Sequence, residues 1–330
     1  MIQLSPETIW KLNQKEAVNL IEKDWIAQKP KKIRFYAPSF TYCKTKYYRS
    51  SIKDFPTISI TGTSCALNCK HCGSKVLQTM HPALSEKELF DLCLKLKQDG
   101  AKGCLVSGGC LPDGSVPLRG FVNVFKRIKQ ELGLTLFIHS GIINLETAVS
   151  LKGAGVDAVL IDVIGSVETI KKICNLSVTV EDYSKSLKAL DSAGLNFVPH
   201  VIVGLNEGGL DGELEALKMV KAVKPSAIVI IAFMPIYGTA MAKTMTPKPI
   251  DIAKVALIAR LLFPETPLVL GCMRPKGPVR GEIDVLALKV GVDAIAFPSE
   301  EAVEYAQNVG FEVSFSSYCC AQLYLDAKAK

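Results

Sequence analysis

The sequence predicts an α/β protein, a (β/α)8 TIM-type barrel with a helical, basic N-terminal extension and a C-terminal tail over the barrel mouth. Two observations carry this. From residue 57 onward, short apolar runs alternate with amphipathic helical segments, and eight such runs recur over about 250 residues, the usual length of this barrel. The runs are also β-branched and apolar nearly throughout, as strands covered on both faces must be.

Residues 1–53 form the predicted extension. "MIQLSPETIWKLNQKEAVNLIEKDW" has charges spaced along an amphipathic helix and lacks the apolar core of a signal peptide. The net charge of +7 lies wholly here, with eleven Lys/Arg against four Asp/Glu; the remaining residues hold 28 of each. Within it, residues 29–53 carry eight positive residues, no acids and six aromatics. They read either as a solvated loop or as a docking surface for an acidic macromolecule, with aromatic anchors in a steering field.

The barrel is assigned to 54–313. Its strands are read at 57–64, 103–109, 134–140, 157–165, 196–205, 226–235, 267–272 and 293–298, with helices such as "SEKELFDLCLKLKQDG", "FVNVFKRIKQELG" and "DIAKVALIARLLF" between them. "AGVDAVLID" and "VGVDAIAFP" echo one repeating unit, and no Gly/Ser linker divides the chain. The tail, 314–330, carries Cys319-Cys320. No stretch approaches the ~20 apolar residues of a membrane span, so a cytoplasmic protein is expected. Eleven cysteines in a large chain without an export signal suggest reduced thiols that pack or bind metal. Cys93, Cys104 and Cys174 sit among apolar residues and read as packing cysteines.

Barrel active sites lie at the carboxyl ends of the strands, and the unusual residues fall there. Ser64 and Cys65 follow strand 1, and Ser107, Gly108, Gly109 and Cys110 follow strand 2. His139 ends strand 3, Asp162 lies late in strand 4, Gly204 ends strand 5, and Cys272 and Arg274 end strand 7. The loop after strand 1, "ITGTSCALNCKHCGSKV", holds Cys65, Cys69 and Cys72 at spacing C-x3-C-x2-C. A structural zinc site needs four ligands, usually from two C-x2-C knuckles; Cys319 or His71 would have to complete it, and the second knuckle is missing. Thiolates also hold iron–sulfur clusters, and three on a four-iron cube leave one iron open for a further ligand.

In that loop the chain resembles the radical S-adenosylmethionine (SAM) enzymes. The resemblance implies a [4Fe-4S] cluster on Cys65, Cys69 and Cys72 whose open iron binds SAM. It also implies that Ser107, Gly108 and Gly109 let backbone approach the SAM amino group, where a Cβ would interfere. "HVIVGLNE" resembles the strand-5 motif that contacts adenine, giving His200, Ile202 and Gly204 to the cofactor, and Asp162 stands where a polar residue contacts the ribose. His139 and His71 complete the cofactor-binding set. Two positions depart from the pattern: His71 replaces the aromatic residue usual before the third cysteine, and Cys110 replaces an acid after the two glycines.

From the triad onward the chain also resembles biotin synthase. That family keeps a second cluster on three cysteines and an arginine inside the barrel. Val198 and Val269 stand in place of one cysteine and the arginine, and strand 3 has no cysteine. Cys110, Cys272, Cys319 and Cys320 form an alternative set for a second [4Fe-4S] cluster, with Cys43 as a competitor for one place. This combination resembles the two-protein lipoyl synthases, specifically the component acting first on an octanoyl chain. The implied partners are an octanoylated lipoyl carrier protein, a paralogous radical SAM protein and a low-potential electron donor such as ferredoxin; no membrane is implied. Competing readings are methylation or rearrangement with the second cluster as electron relay, and an RNA-modifying or nucleic-acid-binding protein. The charge-neutral barrel and the lack of a recognised RNA-binding module disfavour the last.

Overall fold

A computed structural model describes residues 5–23, 32–39, 42–51 and 53–328. The eight expected strands are present as β2 (Thr57–Ser59), β4 (Gly103–Ser107), β5 (Thr135–His139), β6 (Ala158–Val163), β7 (Phe197–Val203), β8 (Ile228–Ala232), β9 (Leu268–Leu270) and β10 (Ala294–Ala296). Three more join them: β1 (Lys32–Tyr36), β3 (His81–Pro82) and β11 (Glu312–Ser316). All pairings are parallel, in the order β11-β1-β10-β9-β8-β7-β6-β5-β4-β2-β3. Helices intervene as the sequence predicts: α1 (Pro6–Lys11), α2 (Gln14–Lys23), α3 (Glu86–Gln98), α4 (Val122–Arg127), α5 (Leu145–Gly153), α6 (Val167–Cys174), α7 (Val180–Ser192), α8 (Glu213–Lys221), α9 (Pro249–Leu262), α10 (Val279–Lys289), α11 (Glu300–Asn308) and α12 (Leu323–Lys328).

The sheet curls so that alternate residues of each strand face an interior or the helices. On β6, Val159, Ile161 and Val163 join the helix-side core, while Ala158 and Leu160 face inward. Cys93, Cys104 and Cys174 are buried on the helix side, as the packing reading requires. The apolar helix α9 is buried along most of its length because α1 and α2 pack over it.

Two parts differ from expectation. In the N-terminal region, 24–31, 40–41 and 52 lie outside the described residues, and Lys31 is among them. Residues 32–36 are not an exposed arm but a strand between β10 and β11. "KIRFY" alternates, so Ile33 and Phe35 are buried while Lys32 pairs with Glu312 at 2.9 Å and Arg34 with Asp326. Tyr36 is fully buried, and the Tyr48 hydroxyl donates to the Pro298 carbonyl, so these two of the aromatics read as docking anchors are fixed in the fold, while Tyr42 stays exposed.

The C-terminal tail does not lie over the mouth. It packs inside the barrel, where Cys320, Ala321, Leu323 and Tyr324 meet Leu160, Val198, Val229 and Val269. The reason is volume: Ala158, Ala227, Ala294 and Ala296 line the interior with small side chains, and a close-packed core must fill the space they leave. The Tyr324 hydroxyl donates to the carbonyl of Asp157 at 2.7 Å, at the amino end of β6 and so opposite the mouth. Tyr36 donates to Asp326 at 2.6 Å, tying the tail to β1. Among the described residues no strand ladder closes β11 onto β2. There Asp54 and Ser317 are hydrogen-bonded, and the rings of Phe55 and Tyr318 lie 6.5 Å apart.

Candidate active site

The loop after β2 is held from three sides. Asn175, at the left-handed cap of α6, donates its side-chain amide to the carbonyls of Leu67 (3.1 Å) and Asn68 (2.9 Å). The Lys70 amide donates to the Ile173 carbonyl at 2.8 Å, and the Met241 amide donates to the Lys70 carbonyl. Asn68, Gly73 and Ser74 all have positive φ, which gives the tight winding that places Cys65, Cys69 and Cys72 on one short stretch. Sequence reasoning missed Asn175, although an Asn directly after an amphipathic helix is a C-cap signal.

The thiols are crowded. One ligand atom each from Cys69, His71 and Cys72 lies within 4.8 Å of the others. The Cys69 thiol donates to the Cys174 carbonyl at 3.2 Å, and its hydrogen bond with the Cys174 side chain chiefly raises its pKa. Cys72 is pushed up to about 12, first by its hydrogen bond with Cys69 and then by burial. Cys65 accepts the Cys110 amide at 3.3 Å. The buried His71 Nδ1 has no hydrogen-bond partner. Crowded thiols and an orphaned imidazole nitrogen mark a loop suited to a metal group, and three thiolates fit a cluster with one open iron.

The glycines after β4 serve that loop. A Cβ on Gly109 would stand 1.9 Å from the Ser64 carbonyl and 2.6 Å from the Cys65 Cβ; one on Gly108 would press on Thr61 at 3.0 Å. Close packing against the thiol loop therefore already demands glycine, before any cofactor is considered. Thr61 ties the two segments by accepting the Gly109 amide at 2.6 Å and donating to the Ser64 carbonyl at 3.0 Å. Ser107 donates its hydroxyl to the His139 carbonyl at 3.1 Å.

His139, Asp162 and His200 meet inside the barrel. His139 Nε2 is 3.4 Å from Asp162 Oδ1, and Asp162 and His200 are register partners on β6 and β7. Burial acts to raise the Asp162 pKa, but the neighbouring His139 charge and hydrogen bond bring it down to about 2. Burial acts to lower that of His139, and Asp162 overcomes it, so the net shift is upward. Burial lowers His200 to about 4. Ile202 lies two residues further along β7, facing the same interior. Gly204 has φ +73°, and its amide donates to buried Glu213 at 2.8 Å. Glu213 also accepts the Asp211 amide at 2.7 Å, fixing both ends of the loop after β7.

The second thiol set is only partly assembled. Cys272, Cys319 and Cys320 all join the interior core, and each interacts electrostatically with another of the three. Burial pushes Cys272 up to about 11, while a hydrogen bond from Cys320 lowers Cys319. Cys110 does not join them. It packs on the helix-side core with Cys65 and Cys72, and burial beside those thiols pushes it up to about 12. Its amide donates to the Cys65 thiol, at the loop after β2. Cys43 faces the Tyr48 hydroxyl at 3.3 Å instead. Arg274 is not a rim group: it is fully buried, pairs with Asp284 through two bonds of 2.7 and 2.9 Å, and donates to the Gly271 and Ala296 carbonyls.

Residues 59–220, which include the thiol loop and β4–β7, match the sequence model of the Radical SAM superfamily. The match spans just under half of the chain and makes residues 59–220 similar to that superfamily. Among curated relatives, a biotin synthase of Leptospira interrogans is 22% identical over 228 residues, covering 68% of this chain and 64% of that protein. The chain thus spans just under two thirds of that relative's length. A biotin synthase of Coxiella burnetii is 27% identical over 245 residues, covering 72% of this chain and 74% of that protein. Among solved structures, a methylornithine synthase superposes with a TM-score of 0.63 at 14% identity, covering 99% of this chain and 96% of the other. The [FeFe]-hydrogenase maturase HydG gives 0.63 at 16%, covering 98% and 74%. These establish a shared fold. Among the described residues no helix is long and apolar enough to cross a membrane.

Proposed function

We propose that this radical SAM chain inserts sulfur into an octanoyl group carried on a lipoyl carrier protein, acting with a paralogous partner and a low-potential donor such as ferredoxin. The observation that carries the reading is the presence of two thiol sets at different depths: Cys65, Cys69 and Cys72 beside β4, and Cys272, Cys319 and Cys320 inside the barrel. The first set would hold the SAM-binding [4Fe-4S] cluster and the second an auxiliary [4Fe-4S] cluster; bound there, they supply one-electron cleavage of the sulfonium and a source of sulfide. Val198 and Val269 are buried in the interior core, so the ligands that biotin synthase would offer are replaced by apolar packing, and the tail brings thiols instead.

The chain's own residues act by placement. Asn175, Thr61 and Gly109 hold the outer thiol loop rigid; Glu213 sets the loop after β7 against which an adenosyl group would lie. The apolar walls Leu160, Val198, Val229 and Ile231, packed against the tail, exclude water from the interior. The docking face for the carrier is not assigned to residues 32–36, whose charges pair within the fold.

The test is anaerobic turnover of the reconstituted protein, with its paralogous partner, on an octanoyl-lysine peptide. Mass analysis should show sulfur gained by the peptide, and Cys272→Ala should abolish that gain while 5′-deoxyadenosine still forms. Formation of 5′-deoxyadenosine with no sulfur gain in the unmodified protein would overturn the sulfur-insertion reading and favour methylation or rearrangement.

A further inference from the structure

The resemblance gives His139, Asp162 and His200 to the sulfonium cofactor, yet together they have a chemistry of their own. Each stands two residues beyond an inward-facing apolar residue on its strand: Phe137 on β5, Leu160 on β6 and Val198 on β7. Two-residue periodicity therefore turns all three into the same interior space, one layer nearer the mouth. One ligand atom from each lies within 4.8 Å of the other two. His200 Nδ1 sits 3.1 Å from the Val198 carbonyl; in the tautomer that donates there, Nε2 keeps a free lone pair. Anchoring of one ring nitrogen by a backbone carbonyl is the usual support of a metal-bound histidine. An ion pair between His139 and Asp162 would account for two members and leave the third unexplained.

We propose that His139, Asp162 and His200 bind one divalent transition-metal ion of the zinc or ferrous class, in a site distinct from both thiol sets. Two imidazoles and one carboxylate suit such ions and leave coordination positions open. An ion there takes the Asp162 carboxylate, and an adenosyl group is then left to Ile202, Gly204 and the backbone of Ser107–Gly109.

The probe is Zn2+, added anaerobically to chelator-washed protein with its clusters reconstituted and also to the Cys65/Cys69/Cys72→Ala protein, so that the outcome does not depend on the cluster reading. One zinc per chain should survive desalting in both and raise the melting temperature. His200→Ala and Asp162→Asn should each weaken zinc binding at least tenfold with the iron count unchanged, and His139→Gln provides a third variant should one of these fail to fold. Cys319→Ser, which alters a thiol that interacts electrostatically with His139, should retain the zinc. No retained zinc, or zinc lost from Cys319→Ser and kept by the three variants, would overturn the proposal.

Discussion

Gly109→Ala is the sharpest small perturbation of the site. The added Cβ would meet the Ser64 carbonyl at 1.9 Å, where contacts under 3.0 Å are essentially never seen, so the loop or β4 must move apart by about 1 Å. The loop is the softer side, but it is pinned by Asn175 and by the Lys70 amide, so the movement falls on Cys65 next door. A displacement of about 1 Å in a positioning element costs on the order of 100-fold in rate. The assay is 5′-deoxyadenosine formation with dithionite and SAM, read beside iron per chain and far-UV circular dichroism. The rate should fall on the order of 100-fold, or the outer cluster's iron should be lost, with the fold retained. A rate and iron content within about twofold of the unmodified protein would refute the view that Gly109 sets the loop.

Three further outcomes follow. Cys272→Ala, Cys319→Ala and Cys320→Ala should each lose the inner cluster's iron, whereas Cys110→Ala should keep it; equal loss in all four would restore Cys110 to that set. Arg274→Ala strips the partner from a fully buried carboxylate and should destabilise the protein by about 3–5 kcal/mol in urea titration; a loss below about 1 kcal/mol would contradict a structural role. Burial raises Glu213 to about 7 from its ordinary 4.5, against its two amide bonds. The folded state then holds a proton the unfolded chain has released, so Glu213 makes stability fall as pH rises from about 4.5 to about 7. At about 1.4 kcal/mol per pH unit this amounts to about 3 kcal/mol, and Glu213→Gln should remove that slope from the melting temperature; identical slopes would refute it.

The curled parallel sheet was legible because strands covered on both faces must be apolar, and eight such runs with intervening helices fit a barrel better than an open doubly wound sheet. Three further strands join them, and among the described residues no ladder closes the sheet. The thiol loop was legible because its ligands are close in sequence. What escaped depends on long-range packing. "KIRFY" reads as charge and aromatics until β10 and β11 give Lys32 and Arg34 acids to pair with and Phe35 a core to enter. The tail's destination is set by alanines on β6 and β10 and just before β8, a void that no local pattern reveals. Cys110 and Arg274 lie in the loops after β4 and β9 rather than at the strand ends, and a loop position leaves open which layer a side chain joins: Cys110 turned to the outer thiols, and Arg274 found Asp284 ten residues on.

The central claim is that Cys65, Cys69 and Cys72 hold a four-iron cluster with one iron open to SAM. The direct measurement is anaerobic reconstitution followed by SAM and dithionite, with 5′-deoxyadenosine and methionine quantified together. Equal amounts of both products, abolished by Cys69→Ala, are expected. A protein that carries no such cluster, or one that carries it and leaves SAM intact, would contradict the account.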